Sequence, residues 1–208
     1  MCQGLIFMPT GLADAVLTQD EKQQGVVLVD IGEGTTDFSV FVEGMLVHAG
    51  SIPIGGGAVT RDIAYRLQIN NQVAESMKLT LSSESEDLDI PDDVPHEVIE
   101  ARYMQIFKLI ERSLIKEGVK QKLSRGYVLC GGGSQYSGIH QVVENFCSRG
   151  SRVGALLQET NVNMSHMWLG AVGLVYYVQQ QEGQQVININ SPLRKGIKVL
   201  QRWLEVYF

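Results

Sequence analysis

A glycine-containing turn between two apolar segments constrains the fold of this chain more than any other feature. The turn reads Asp30-Ile-Gly-Glu-Gly-Thr-Thr-Asp37, after the apolar residues 26–29 and before residues 38–42. This pattern predicts two strands joined by a tight loop, with a carboxylate at the end of the first strand. It favours a phosphate-binding loop, because Gly32 and Gly34 allow the backbone to approach a ligand closely. A hairpin in which Asp30 only caps the turn is the alternative.

Within this loop, each residue type suits a polyphosphate ligand. The backbone amides of residues 32–36, which include Thr35 and Thr36, are able to turn toward phosphate oxygens. Asp30 is able to hold a hydrated Mg²⁺ ion, because magnesium prefers oxygen ligands and keeps several of its waters. The loop therefore predicts a phosphate site with Asp30 as a magnesium ligand through water.

Two further glycine turns favour the phosphate interpretation over the simple hairpin. Gly55, Gly56 and Gly57 precede a predicted helix over residues 59–67. Residues 127–130 predict a strand that runs into Gly131-Gly-Gly-Ser134 and then into a helix, which suits a nucleoside lying against bare backbone. Three such turns at strand ends in one short chain indicate a nucleotide site.

The order of these motifs resembles that of the actin, Hsp70 and sugar kinase ATPase superfamily. Residues 30–37 are similar to its second phosphate motif, 55–57 to the glycines that open a helix beside the phosphates, and 131–134 to its adenosine motif. Residues 169–174 are similar to its second interdomain connection. Segments 62–65, 74–78 and 98–102, with Ile106 and Phe107, are more specific and resemble the FtsA family of bacterial cell-division proteins.

The resemblance implies a fold and a complete nucleotide site. The expected fold class is α/β: half of an actin-like ATPase fold, with a ribonuclease-H-like lobe, an inserted second α/β lobe and a C-terminal amphipathic helix. Glu75 and Lys78 are spaced like the superfamily residues beside the ribose and adenine, and ATP and Mg²⁺ are the expected cofactors. The predicted site residues are Asp30, Gly32, Gly34, Thr35, Thr36, Gly55, Gly56, Gly57, Glu75, Lys78, Gly131, Gly132, Gly133 and Ser134.

Two departures from the superfamily pattern limit the expected activity. Glu33 stands where the family usually has glycine, which makes the charge near a phosphate less favourable. No segment resembles the first phosphate motif, so the chain resembles the C-terminal half of an FtsA protein. We therefore expect weak ATP binding and at most weak hydrolysis, and we assign no catalytic residue.

Composition and pattern divide the chain into five parts. Residues 1–24 are expected to contain a remnant of the interdomain helix and its connection. Residues 25–57 and 127–178 are expected to form the core lobe, and residues 58–126 the inserted smaller lobe. In that insertion, an apolar stripe at helical spacing predicts a helix over residues 96–117 that packs in the core. Residues 179–192 are polar and are expected to form a tether.

Residues 193–208 predict an amphipathic helix at a membrane interface. At about 100° per residue, the basic residues Arg194, Lys195, Lys198 and Arg202 lie opposite an apolar face that contains Trp203. A terminal helix docked on its own domain is the alternative. The residues predicted to contact the membrane are Leu193, Ile197, Lys198, Leu200, Arg202, Trp203, Leu204, Tyr207 and Phe208.

The function implied by these features is a membrane adapter of bacterial cell division. Its expected partners are the C-terminal peptide of FtsZ, anionic membrane lipid and further copies of itself in filaments. Its expected location is the cytoplasmic face of the plasma membrane at the division septum. The basic residues Arg61, Arg66, Lys116 and Lys120 are candidates for contact with an acidic FtsZ peptide. A pilus-assembly actin-like protein and an Hsp70-type ATPase fragment remain alternatives.

Other sequence features exclude several classes of function. The formal net charge of −6 argues against binding to nucleic acid through its phosphates. The three cysteines lack the spacing of a metal or redox motif. The apolar run over residues 168–178 is shorter than the roughly 20 residues that a membrane-spanning helix requires, so we expect a buried core helix there.

Overall fold

The computed structural model describes residues 6–80, 96–157 and 168–184. Short 3₁₀ turns at Lys120–Lys122 and Gly132–Gln135 accompany the regular elements of these residues. The elements, in chain order, are α1 (Met8–Val16), α2 (Gln19–Gln24), β1 (Val26–Ile31), β2 (Thr36–Val42), β3 (Met45–Ile52), α3 (Gly56–Leu67), α4 (Asn71–Thr80), α5 (His96–Lys116), β4 (Tyr127–Cys130), α6 (Ile139–Cys147), β5 (Ser151–Val153) and α7 (Leu169–Gln184).

The strands form one mixed sheet in the order β3-β2-β1-β4-β5. Strands β1, β2 and β3 are an antiparallel meander, whereas β4 pairs parallel with both β1 and β5. The tight turn between β2 and β3 places Glu43 at φ 55° and Gly44 at φ 78°, and two consecutive positive φ angles match the twist of a two-residue hairpin. The predicted α/β class is confirmed.

The central strand β1 is buried on both faces and separates two apolar cores. Its alternate residues Val27, Val29 and Ile31 belong to the core beneath α3, α4, α5 and α6, whereas Val26 and Leu28 face the core beneath α1 and α7. This alternation follows from the period of two along a strand, and it explains why residues 26–29 are continuously apolar. The sheet is thus a partition between two helical layers.

Helix α5 contains the predicted apolar stripe, and every residue of that stripe is buried. Between residues 58 and 126, the regular elements of the described residues are helices and one 3₁₀ turn, and their apolar side chains share the larger core with the sheet. The division of the chain into lobes stays a prediction. The confirmed core residues of α5 are Ile99, Tyr103, Ile106, Phe107, Ile110 and Leu114.

Helix α3 begins at Gly56, three residues before the start predicted from its apolar pattern. The amide of Gly56 donates to the carbonyl of Gly32 at 2.8 Å, and the amide of Gly57 donates to the carbonyl of Glu33 at 2.8 Å. These bonds satisfy two of the amides that a helix N-terminus leaves open. A neighbouring loop therefore stabilises a first turn that glycine propensity alone disfavours.

Helices α1 and α7 cross at a contact between two glycines. A Cβ added at Gly173 would lie 2.5 Å from the carbonyl oxygen of Gly11, and one added at Gly11 would lie 3.1 Å from the carbonyl carbon of Gly173. The two backbones therefore touch directly. The close crossing lets Leu12, Val16 and Leu169 complete the second core.

Some predicted features lie outside the described residues. These are most of the predicted polar tether and the whole predicted amphipathic tail at 193–208. In the part of the chain that the structure describes, none of the helices combines the length and the apolar character needed to cross a membrane.

Substitution of Gly173 by alanine tests the helix crossing. We expect Gly173→Ala to lower the free energy of unfolding by about 1–3 kcal/mol, because the new methyl group meets backbone that has no room to move. Gly170→Ala is the matched control in the same helix, since its added Cβ meets only the flexible Met8 side chain at 3.7 Å. Urea unfolding measures both variants, and an equal effect of the two substitutions would contradict the crossing geometry.

Candidate functional site

The loop between β1 and β2 forms an open turn at the end of the sheet. The amide of Gly32 donates to the carbonyl of Thr35 at 2.9 Å, which closes the turn. Glu33, Gly34 and Thr35 are exposed, and a Cβ added at Gly34 would meet no atom within 4 Å. The turn therefore presents backbone to an open space at the edge where β1 and β4 both end.

The third glycine turn lies directly against the end of β1. Gly131 has φ 81°, and a Cβ there would lie 2.5 Å from both Asp30 Oδ1 and the Ile31 carbonyl oxygen. A Cβ at Gly133 would lie 2.4 Å from Ile31 Cγ2. The buried Ser134 hydroxyl donates to the Gly131 carbonyl at 2.8 Å and closes this turn. Glycine is required here because both the backbone angle and the close contact exclude a side chain.

The second glycine motif connects the first turn to α3. A Cβ at Gly55 would lie 2.4 Å from the Gly32 carbonyl oxygen, so the two segments touch through their backbones. The predicted phosphate residue Thr36 is buried, and its hydroxyl donates to the Ile54 carbonyl at 2.8 Å. Thr36 thus fixes the loop before α3 to β2, and its side chain is turned away from the open space.

Glu75 and Lys78 meet each other at the N-terminal part of α3. Lys78 Nζ lies 2.6 Å from Glu75 Oε2, donates to Thr60 Oγ1 at 2.9 Å and donates to the Gly56 carbonyl at 3.3 Å. The Thr60 hydroxyl also hydrogen-bonds to Glu75. The pair predicted to contact a nucleoside is therefore tied to the glycine motif that follows the phosphate loop.

The contacts of Glu75 keep its carboxyl group ionised. Burial opposes ionisation, but the hydrogen bonds from Lys78 and Thr60 and the charge of Lys78 outweigh burial and lower the pKa of Glu75. An ionised carboxylate here is able to accept hydrogen bonds from two ribose hydroxyls.

Asp30 and Asp37 face each other across β1 and β2 on the α1–α7 side of the sheet. They are register partners, and they line a cavity of about 10 Å³ with Met8, Pro9 and Ser39. Burial, together with the negative charge of Asp37, raises the pKa of Asp30. A cation beside these carboxylates would favour the ionised form of Asp30, because its charge would offset both the cost of burial and the repulsion from Asp37.

The donor set at Asp30 fits a magnesium ion that keeps most of its water. Among residues 6–80, 96–157 and 168–184, no group of three or more His, Cys, Asp and Glu side chains is placed to hold a metal ion. Magnesium bound by one or two carboxylates and by substrate phosphates needs no such group. Asp30 lies beside the Gly131 turn, so a cation held by its carboxylate would be next to that glycine turn.

Taken together, the described residues bring the three glycine motifs, Asp30, Glu75 and Lys78 around one end of the sheet. Two contributors were not predicted as site residues. Thr60 lies on the first turns of α3, and the hydroxyl of Tyr103 donates to the Gly133 carbonyl at 2.8 Å. The sequence feature that could have indicated Tyr103 is its hydroxyl group within an otherwise apolar stripe. A buried tyrosine hydroxyl normally finds a hydrogen-bond partner, so such a hydroxyl predicts a specific contact.

Comparison with known sequences gives one family. The family model described as "Cell division protein FtsA" matches residues 27–169. Proteins named cell division protein FtsA are 32% identical in Pseudomonas aeruginosa and 30% identical in Escherichia coli, with 98% of this chain and 56% of each relative covered. The relative in Borreliella burgdorferi is 30% identical, with 89% of this chain and 50% of the relative covered. The chain therefore spans about half the length of these relatives.

Comparison with solved structures gives the actin-like ATPase fold. Spiroplasma citri MreB5 bound to ADP superposes with a TM-score of 0.67 at 18% identity, over 86% of this chain and 60% of that protein. The PilM–PilN type IV pilus biogenesis complex gives 0.64 at 17% identity, over 83% of this chain and 52% of the matched chain. At these identities the likeness shows the fold alone.

Replacing Lys78 tests the electrostatics of the nucleoside pair. Lys78→Met should move the pKa of Glu75 upward toward its usual value of 4.5, because the charge and a hydrogen bond are lost. Because folding lowers the pKa of Glu75, the ionised carboxylate stabilises the fold at any pH above its pKa in the unfolded chain. This stabilisation is lost as the pH falls through the pKa that Glu75 has in the folded protein. Glu75 is 41% exposed, so we expect a loss of no more than about 0.5 kcal/mol at pH 7.

Carbon-13 NMR titration of the Glu75 carboxyl group measures this change. Lys116→Met, which removes an exposed lysine at the end of α5, is the control and should leave the titration of Glu75 unaltered. An unchanged Glu75 titration in Lys78→Met would show that the ion pair does not form in solution.

Proposed function

The chain belongs to the FtsA family of bacterial cell-division proteins, and from that premise we propose that it acts as an actin-like adapter. In this proposal it binds ATP with Mg²⁺, associates into filaments and tethers FtsZ polymers to the cytoplasmic face of the plasma membrane at the division septum. The chain spans about half of its relatives, so the activity of the whole protein is part of the proposal.

The observation that carries nucleotide binding is the convergence of three glycine turns on the end of β1. Each turn brings bare backbone to this edge of the sheet. A Cβ added at Gly131 would lie within 3 Å of Asp30, and one added at Gly55 would lie within 3 Å of the Gly32 carbonyl oxygen. Backbone amides and a nearby carboxylate suit a polyphosphate with its counter-ion. The neighbouring glycine motifs are held by backbone contacts, which pre-organise the surface before a ligand arrives.

Each part of a nucleotide has a proposed position. The exposed turn at Glu33, Gly34 and Thr35 would face the phosphates, and Asp30 would orient the magnesium ion through its waters. Magnesium would neutralise phosphate charge. The ionised Glu75 and Lys78 would contact the ribose and adenine, beside the Gly131–Ser134 turn. Glu33 adds a negative charge to the phosphate side, which supports weak binding.

The proposed role is an adapter and not an efficient hydrolase. Hydrolysis of ATP requires a group that orients or deprotonates a water next to the terminal phosphate. The exposed turn supplies Glu33 as its only ionisable side chain, and we assign no catalytic base. Nucleotide would then serve to organise the protein and its filaments.

The proposed FtsZ contact is on the exposed face of α3. Arg61 and Arg66 are exposed there and present two positive charges to an acidic peptide. Lys120 is paired with Glu111, which reduces its availability. Lys116 lies 14 residues along α5 from Arg102, which contacts α3, and that separation corresponds to about 21 Å of helix. Arg61 and Arg66 are therefore the preferred pair.

The proposed membrane contact is the tail, residues 193–208. Burying Trp203, Leu204 and Phe208 in an interface contributes about 1.5–3 kcal/mol per side chain before the helix is ordered. Each basic group near an anionic surface adds about 1 kcal/mol. A single tail would bind reversibly, and a filament would strengthen attachment by presenting many tails together.

Magnesium-dependent ATP binding tests the nucleotide part of the proposal. In ¹⁵N NMR titrations of the 208-residue chain, Mg²⁺ should strengthen ATP binding, and Asp30→Ala should weaken the magnesium-dependent part by about tenfold or more. Asp20→Ala removes an exposed carboxylate on α2 that pairs with Arg125, and it serves as the control. Equal magnesium dependence in wild type and Asp30→Ala would exclude Asp30 as the magnesium residue.

Vesicle co-sedimentation tests the adapter as a whole. A labelled peptide with the FtsZ C-terminal sequence should pellet with anionic vesicles only when the chain is present, and deletion of residues 193–208 should abolish pelleting. Trp203→Glu should act at all salt concentrations, whereas Lys198→Glu should matter less at high salt because screening already removes its attraction. Equal pelleting with and without the tail would reject it as the anchor.

A further inference from the structure

Tyr103 connects the core of the protein to the Gly131–Ser134 turn. Its side chain is 2% exposed and lies within the apolar stripe of α5. Its hydroxyl nevertheless donates to the Gly133 carbonyl at 2.8 Å. A buried hydroxyl without a partner costs about 1–3 kcal/mol, so this bond fixes the direction of the side chain.

The turn is held from two sides at Gly133. On one side, a Cβ at Gly133 would lie 2.4 Å from Ile31 Cγ2, so β1 blocks movement toward the sheet. On the other side, the Tyr103 hydroxyl holds the Gly133 carbonyl. The Ser134 amide donates to the Gly131 carbonyl at 3.1 Å and closes the turn internally. The position of the turn therefore depends on α5 as well as on β1.

The ring of Tyr103 also holds the residue that ends the turn. It stacks on the ring of Tyr136, with centroids 5.5 Å apart and an interplanar angle of 10°. The Tyr136 ring covers Gly138, where an added Cβ would lie 2.6 Å from it. His96 Nδ1 lies 3.1 Å from the Tyr136 hydroxyl, so the first turn of α5 makes a second contact with this ring.

A third relation links Tyr103 to the carboxylate on α4. Burial raises the pKa of Tyr103, and the nearby groups Tyr136 and Glu75 raise it further. The hydroxyl therefore stays protonated, and able to donate, at and well above neutral pH. The Tyr103 hydroxyl and the Glu75 carboxylate thus interact electrostatically.

We propose that Tyr103 is a positioning residue for the nucleoside part of the ligand: through its hydrogen bond to the Gly133 carbonyl it holds the Gly131–Ser134 turn in place. The inference rests on the proposed nucleotide binding. It adds that binding of the purine nucleoside depends on α5, whereas binding of the phosphate chain does not. Tyr103 acts through the backbone of Gly133 and need not touch the nucleoside.

A pair of tyrosine variants tests this role. Tyr103→Phe keeps the ring and its stacking but removes the hydrogen bond to Gly133. Tyr127→Phe is the matched control, because Tyr127 is fully buried and its hydroxyl also contacts α5, at Glu111. Titrations of the 208-residue chain with ATP and with inorganic tripolyphosphate, followed by ¹⁵N NMR, separate nucleoside binding from phosphate binding.

We expect Tyr103→Phe to weaken ATP binding by about three- to tenfold while leaving tripolyphosphate binding unchanged. Tyr127→Phe should leave the ratio of the two affinities at its wild-type value. An equal loss for both ligands in Tyr103→Phe would indicate simple destabilisation and would overturn the inference. Unchanged ATP binding in Tyr103→Phe would also overturn it.

Hydrogen exchange without ligand separates this inference from the proposed function. Tyr103→Phe should raise amide exchange at residues 131–136 relative to Tyr127→Phe, because the turn loses one of its two supports. Unchanged exchange there would reject the positioning role even if the wild type binds ATP. If the wild type binds neither ATP nor tripolyphosphate, the proposed nucleotide binding is wrong, and the inference about its nucleoside part is rejected with it.

Discussion

The parallel pairing of β1 with β4 is the interaction on which the rest of the site depends. It aligns residues about 100 positions apart in the chain, with Asp30 opposite Cys130, so that both strands end at the same edge of the sheet. Closing so long a segment costs chain entropy. Burial of Val27, Val29 and Leu129 between the sheet and its helices offsets that cost. Without this register, the loop between β1 and β2 and the Gly131–Ser134 turn would not be neighbours.

The site is shaped mainly by backbone packed against backbone. Gly55 lies against the Gly32 carbonyl, Gly131 against the Ile31 carbonyl, and Gly11 against Gly173 in the other layer. Side chains adjust by rotation, whereas a backbone contact shifts only if a whole segment moves. This explains why glycine is required at these positions and why a methyl group there is expected to do more damage than the loss of a surface charge. The charged groups Asp30, Glu75 and Lys78 act on a frame that these contacts already fix.

The sequence was sufficient to predict local structure and most of the motifs, because periodicity and glycine turns are local signals. The strands around Asp30 and the stripe of α5 follow from such signals, whereas the choice of Glu75 and Lys78 came from the family resemblance. The start of α3 at Gly56 depends on carbonyls of a loop more than 20 residues away, which propensity does not register. The inward hydroxyl of Thr36 and the partners of Thr60 and Tyr103 depend on the distance between elements. A hydroxyl group has many possible partners in sequence, and only the folded core decides which of them it contacts.

The candidate site extends over both layers of the protein, because it lies at the end of the partition between them. Gly56, Lys78 and Tyr103 belong to the layer of α3, α4 and α5, whereas Asp30 and Asp37 face α1, where Met8 and Pro9 line the same small cavity. The repulsion between the two carboxylates acts at the start of α1. A cation that neutralised them would therefore change the electrostatic environment of α1, which packs on α7 through Gly11 and Gly173. A ligand charge at this end of the sheet would thus act beside α1, whose partner α7 leads toward the predicted membrane tail in the chain.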